Sequence, residues 1–166
     1  GAKRSRDPKW RLARAEDELA HAAGEKNRFA ALPEAAFLEA QVGSPEKAVS
    51  LANEALRLNG KYPDDVNAIP KANLALGLVA LRSGNVAEAK SRLLAAGRTT
   101  GSGTLDTFGP NMLLAKELIE KGERDVVLDY LELCRKFWKM DRGKLTQWEG
   151  QIRSGATPEF GANLTY

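Results

Sequence analysis

Three glycines set a register along this chain. Gly43, Gly84 and Gly122 each close a segment of helical apolar periodicity, and the residues around them match at fixed offsets. Seven positions upstream stand the small residues Ala36, Gly77 and Ala115. Five downstream are Ala48, Ala89 and Val127, nine downstream Ala52, Leu93 and Leu131, and twelve downstream Ala55, Ala96 and Cys134. Small side chains on both sides of a turn let two antiparallel helices approach closely, and the larger apolar ones fill the seam to the next pair. Self-similarity at such a period predicts an array of helix pairs rather than a bundle or a sheet.

The rest of the chain agrees. Apolar residues recur at helical spacing almost everywhere, and no segment alternates with the β-branched pattern of a half-buried strand, so an all-α fold of about eight helices is expected. Asp7-Pro8 starts a first helix that ends near Gly24, with Leu12, Ala15, Leu19 and Ala22 on one face. A second helix spans 32–42, and a third runs from the Ser44-Pro45 cap to Asn59-Gly60. A fourth covers 70–84, and a fifth starts at Asn85, where Glu88 has capping-box spacing. A sixth begins at Pro110 and a seventh follows Gly122. An eighth, capped by Asp141, faces Leu145, Trp148 and Ile152 inward. Residues 155–166 read as an irregular tail. One helical domain over 7–154 is therefore expected. Its hydrophobic content of 43% is enough to build a core.

Charge is unevenly spread. Lys3, Arg4, Arg6, Lys9, Arg11 and Arg14 oppose only Asp7 in residues 1–14, while the whole chain carries +3. This basic arm is suited to phosphates or an anionic membrane surface; the plainer reading is a solvated helix start. Gly1 followed by "AKRSRDPKW" reads as the start of a processed chain and leans toward an exported protein whose signal was trimmed. A single cysteine, Cys134, allows no internal disulfide and no CxxC pair.

The segment "LGLVALRSGNVAEAKSRLLAA" resembles the tetratricopeptide repeat family, with the Leu76-Gly77 pair, the turn at Gly84 and the alanines Ala89 and Ala96 in place. The resemblance covers about residues 29–138 in three units. Asn73 stands where the family has an aromatic, the proline after the second helix is absent, and the repeat spacings of 41 and 38 residues exceed the usual length of about 34. The resemblance implies a right-handed superhelical array of antiparallel helix pairs, with the excess length in the connections between pairs. It also implies a concave groove lined by Phe37, Gln41, Lys71, Leu74, Leu78, Arg82, Met112, Lys116 and Glu120. Apolar anchors beside three cations there suit a peptide carrying an acidic group; the plainer reading is that helix one buries part of this set. In such an array Cys134 is a small buried residue of a second helix.

Other candidates are weaker. The loop "RTTGSGTLDTFGPNM" lacks the spacing and the lysine of a phosphate-binding loop, so it reads as a connection in which Gly109-Pro110 opens the sixth helix, or as a contact surface. His21 has no nearby metal-spaced partner. Asp64-Asp65 and Glu16-Asp17-Glu18 read as solvated acids. Trp10, Trp138 and Trp148 lie on apolar helical faces and are expected in the core or sealing an end. The tail motif "FGANLTY" echoes "FGPNMLL" at 108–114 and is expected either against the eighth helix or in the groove.

Together these readings predict a non-catalytic adaptor or scaffold that binds a protein or peptide through its groove, with no cofactor, metal or small-molecule substrate. The alternative is a regulatory module that meets nucleic acid or anionic membrane through the basic arm. A transfer or hydrolytic enzyme is disfavoured, because no nucleophile-base pair or metal set can be argued from spacing.

Overall fold

The computed structural model describes residues 6–166, so Lys3 and Arg4 of the basic arm lie outside the described residues. Among those residues the chain is all-α, with no strand. Its helices are α1 (Pro8–Ala20), α2 (Gly24–Val42), α3 (Pro45–Asn59), α4 (Ala68–Arg82), α5 (Val86–Gly97), α6 (Gly103–Phe108), α7 (Leu113–Glu120), α8 (Arg124–Arg135) and α9 (Lys144–Arg153), and a 3-10 turn follows at Gly161–Leu164.

The helices pair as the glycine register predicts. α2 packs on α3, α4 on α5 and α7 on α8. Contacts of α2 with α4, α3 with α4, α4 with α7 and α5 with α8 join one pair to the next, and α1 and α9 cover the two ends. All twelve residues at the matched offsets are buried. Gly77 is a point of close approach, where a Cβ would come within 2.5 Å of Leu114 Cδ2 and 3.1 Å of Arg92 Cβ. One apolar cluster runs from Leu32 to Phe160, and a smaller one joins Ala15 of α1 to Ala35 and Leu38 of α2.

Side-chain caps mark several helix starts. Asp7 accepts from Lys9 N at 3.0 Å, Ser44 from Lys47 N at 3.3 Å, and Asn85 from Glu88 N at 3.1 Å. Asp141 caps α9 from a distance, accepting from Leu145 N at 3.1 Å across a left-handed Arg142-Gly143 turn. Arginines finish two others. Arg82 donates to the Ala40 and Gln41 carbonyls at the end of α2, at 3.0 and 2.6 Å, and Arg124 donates to those of Ile152, Gly155 and Ala156 after α9.

Four expectations are corrected. α1 starts at Pro8 after the Asp7 cap as expected but stops at Ala20 rather than near Gly24. α2 begins at Gly24 rather than at residue 32 and runs through Pro33, although an internal proline removes one helical hydrogen bond and costs about 3 kcal/mol. Tertiary contacts hold those early turns. Phe29 stacks on Tyr62 with ring centroids 5.2 Å apart, Arg28 forks onto Glu54, and Tyr62 and Lys61 both reach Glu25. The 98–112 loop contains the short helix α6, capped by Ser102. Finally, Gly109-Pro110 does not open the next helix; α7 starts at Leu113, whose N–H is taken by Asn111 Oδ1 at 2.9 Å.

The tail is ordered by its echo. Asn163 is fully buried and donates from Nδ2 to the Phe108 and Pro110 carbonyls at 2.9 and 3.0 Å. Asn111 returns the gesture, donating to the Tyr166 and Leu164 oxygens at 2.6 and 3.4 Å, while Met112 N donates to Asn163 O at 2.7 Å. The two similar motifs thus clasp each other through corresponding asparagines. Phe160 meanwhile packs edge-on against Trp148, which lies 5.6 Å from Trp138. Phe160 thus docks on α9, as one of the two expectations had it, while residues 163–166 lie beside α4 and the 108–112 segment.

Candidate functional site

A cavity of about 500 Å³ lies between the middle of α2, the first turns of α4, the 98–112 loop, the far end of α8 and the tail. Its volume falls in the roughly 300–1,000 Å³ range of ligand pockets. The walls are mostly apolar and include Pro33, Pro70, Leu74, Leu105, Phe108 and Phe137, with the rings of Tyr130 and Tyr166. Lys71, Glu34, Asp65, Asn67 and Asn111, with Thr99 and Thr104, are the polar residues of the lining.

The glycine-rich loop has a mechanical part in this cavity. Gly109, at φ +83°, presses on the Trp138 ring so closely that a Cβ would sit 2.4 Å from it, and at Gly101, at φ +86°, a Cβ would sit 2.8 Å from Phe137 Cβ. Both need the left-handed backbone that glycine adopts at little cost. Trp138 also donates from Nε1 to the Thr107 carbonyl at 3.3 Å, so the loop forms a fixed wall on the end of α8. In this loop the two glycines allow close packing, Gly109 on the Trp138 ring and Gly101 on the Phe137 side chain.

Lys71 is the most constrained polar group. Its ammonium lies over the Phe37 ring, 4.7 Å from the centroid, 3.4 Å from Glu34 and 2.5 Å from the Tyr166 main-chain oxygen. Burial holds its pKa below the usual lysine value, and the Glu34 carboxylate opposes that shift while Arg11 adds to it. Arg11 shares the same carboxylate at 2.5 Å and donates to the Thr165 oxygen at 2.7 Å, which ties α1, α2 and the tail together.

The nine groove positions separate in the structure. Lys71 and Leu74 line the cavity, and Phe37 lies beneath the lysine. Phe37, Leu74, Leu78 and Met112 are all buried, leaving almost no surface for a ligand on those side chains themselves. Gln41 lends its carbonyl to Arg82, whose guanidinium also forks onto Glu117 at 3.0 and 2.8 Å. Arg82 is therefore occupied with joining α2, α4 and α7. Lys116 and Glu120 sit farther along α7, half-buried and exposed.

Sequence reasoning missed Glu34, Asn67, Asn111, Tyr130 and Phe137, which line the same cavity as Lys71. The one signal pointing toward them was the echo of the two FGxN motifs, which marked Asn111 as a partner of the tail.

The remaining candidates are quiet. His21 is exposed with Nδ1 2.8 Å from the Asp17 carbonyl, and among the described residues no cluster of three or more His, Cys, Asp or Glu is placed to hold a metal ion. Cys134 is buried, and burial pushes its thiol pKa far above the ordinary value, the wrong direction for a nucleophile. Trp138 and Trp148 are buried as expected; Trp10 is instead about one-third exposed, under the Arg14 guanidinium. No helix among the described residues is long and apolar enough to cross a membrane. No protein-family model, no curated protein and no solved structure matches this chain, so its functional reading rests on the residues described above.

Proposed function

We propose that this chain is a non-catalytic, tetratricopeptide-like interaction module that binds a peptide or protein segment on the face formed by α2, α4 and the 98–112 loop. The observation that carries the reading is the mostly apolar cavity beside Lys71, against the main core cluster of the helix pairs. Concave apolar surface with a few convergent donors suits recognition of an apolar side chain and its neighbouring main chain. In a superhelical array this face is the inner one, which is where the family resemblance puts its groove.

Ala30 tests it. This residue lines the cavity from the exposed side of α2, so Ala30→Trp should fill the site without disturbing the core. A displayed random-peptide library selected on the full chain is expected to enrich binders whose affinity falls by about tenfold or more on that variant. Failure to enrich any peptide, or enrichment indifferent to Ala30→Trp, overturns the reading.

A second reading keeps the basic N-terminal region as a phosphate-binding surface, because Arg6 and Lys9 are exposed. It is weakened by the use of Arg11 inside the fold and by the pairing of Arg14 with Glu18 at 3.5 Å. Its mark would be binding to DNA or anionic vesicles that collapses between low and moderate salt.

A further inference from the structure

Three donors from separate parts of the chain converge on the main-chain oxygens of the tail. Lys71 Nζ and Asn111 Nδ2 meet the Tyr166 oxygen at 2.5 and 2.6 Å, and Arg11 Nη1 meets the Thr165 oxygen at 2.7 Å. These bonds go to groups that every peptide carries, so they hold a backbone without reading its side chains. Specificity at this point comes from the ring. Tyr166 lines the cavity with its centroid 5.5 Å from that of Phe108, and aromatic pairs at such separations attract beyond their area burial.

The tail is held unevenly. Phe160 and Asn163 are buried, whereas Tyr166 remains 40% exposed and leaves the cavity beside it unfilled. The grip lightens step by step beyond Asn163: Leu164 packs half-buried against the core, Thr165 is half-buried and bonds back to the Ala162 carbonyl at 2.9 Å, and Tyr166 is held by its main-chain oxygen and one partly packed ring. Lys71 adds a requirement. Its carboxylate partner Glu34 is shared with Arg11, so an acceptor is needed at the Tyr166 position to satisfy a largely buried ammonium. Whatever replaces Tyr166 must bring an oxygen to the same place.

We propose that the cavity receives an aromatic side chain from an extended segment of a partner protein, whose main-chain oxygen takes the Tyr166 position between Lys71 and Asn111, and that residues 164–166 are the internal occupant it displaces. The proposal rests on the interaction-module reading and names its ligand: an aromatic residue with free main chain on either side. The partner binds by outcompeting a copy of the same chemistry.

The test uses the full chain and two synthetic pentapeptides, ANLTY and ANLTA, acetylated at one end and amidated at the other so that no carboxylate contributes. Affinities are measured for wild type and Tyr166→Gly, with amide NMR signals of Leu164 and Thr165 reporting tail release. The expected result is that ANLTY binds Tyr166→Gly about tenfold more tightly than wild type, that ANLTA is weaker by about tenfold on either protein, and that the tail signals move as ANLTY saturates wild type. Lys71→Met combined with Tyr166→Gly should lose the ANLTY affinity. If that double variant does not fold, the comparison of the two peptides on Tyr166→Gly decides the proposal alone.

Equal affinity of ANLTY for wild type and Tyr166→Gly overturns the internal occupant. Equal affinity of the two peptides overturns the aromatic preference. In both cases the module reading survives if Ala30→Trp still abolishes binding. No binding of either peptide to Tyr166→Gly overturns the proposal; the library selection on Ala30→Trp then separately decides the broader reading.

Discussion

Asn163 shows how one amide can hold a tail in place. Its Nδ2 serves two carbonyls, and its Oδ1 is buried without a partner, so the orientation of the group is set entirely by what it donates. Asn163→Ala would strand the Phe108 and Pro110 carbonyls and should cost about 2 kcal/mol or more. Asn163→Asp should cost clearly more, since an ionised carboxylate has no hydrogen to offer either oxygen. Urea unfolding of the two variants checks this, and equal losses would mean that shape matters there rather than donation. Gly77 carries a second residue-scale prediction. Alanine normally favours a helix over glycine by about 1 kcal/mol, but here its methyl would collide with Leu114 across the seam between helix pairs. Overpacking of this kind typically costs about 1–3 kcal/mol, so Gly77→Ala should destabilise despite the better propensity, as measured by a drop in Tm. That small residue was legible in the repeat register; Asn163 was visible only as a letter in an echo, because its partners lie more than fifty positions away.

Among the elements, every helix but the short α6 followed from periodicity, and helix limits often did not. The starts of α3 and α5 and the Gly43, Gly84 and Gly122 turns fall where Ser44-Pro45, Asn85 and the glycines place them, because caps and tight turns, left-handed at Gly84 and Gly122, are local chemistry. α2 departs from its expected start because Phe29, Arg28 and Glu25 find partners on α3 and in the connection after it. That packing outweighs a proline in the helix interior. Helix ends also depend on distant arginines. Arg124 satisfies three carbonyls after α9 at 2.7 to 3.1 Å, so Arg124→Met should free them. The expected loss is about 2 kcal/mol, or about 4–8 °C in Tm for a chain of this size, measured by calorimetry. Little change would show that water caps α9 equally well.

At the scale of the molecule, one buried acid links stability to pH. Glu39 of α2 accepts from Ser44 N at 3.2 Å, with Glu16 of α1 and Lys47 of α3 facing it. Burial raises its pKa above the ordinary 4.5, with the Ser44 hydrogen bond and Lys47 opposing and Glu16 reinforcing. A carboxyl raised in the folded state favours folding most while protonated, and that advantage is lost as pH climbs above about 4.5 through the raised value. The Tm of Glu39→Gln minus that of wild type should therefore increase between pH 4 and pH 7; a difference that stays flat would show that the buried charge carries no penalty.

The sequence by itself determined the all-α class, the pairing of helices around three glycine turns and the small residues in each seam. These follow from spacing along one chain, where a helix repeats its faces every few residues. Only the tertiary structure decided that Lys71 faces a cavity, that Arg82 is spent on the end of α2, and that Asn111 and Asn163 clasp each other. Those outcomes depend on which distant groups meet in a dry interior, and the cost of leaving any of them unpaired is set by the fold rather than by its neighbours in sequence.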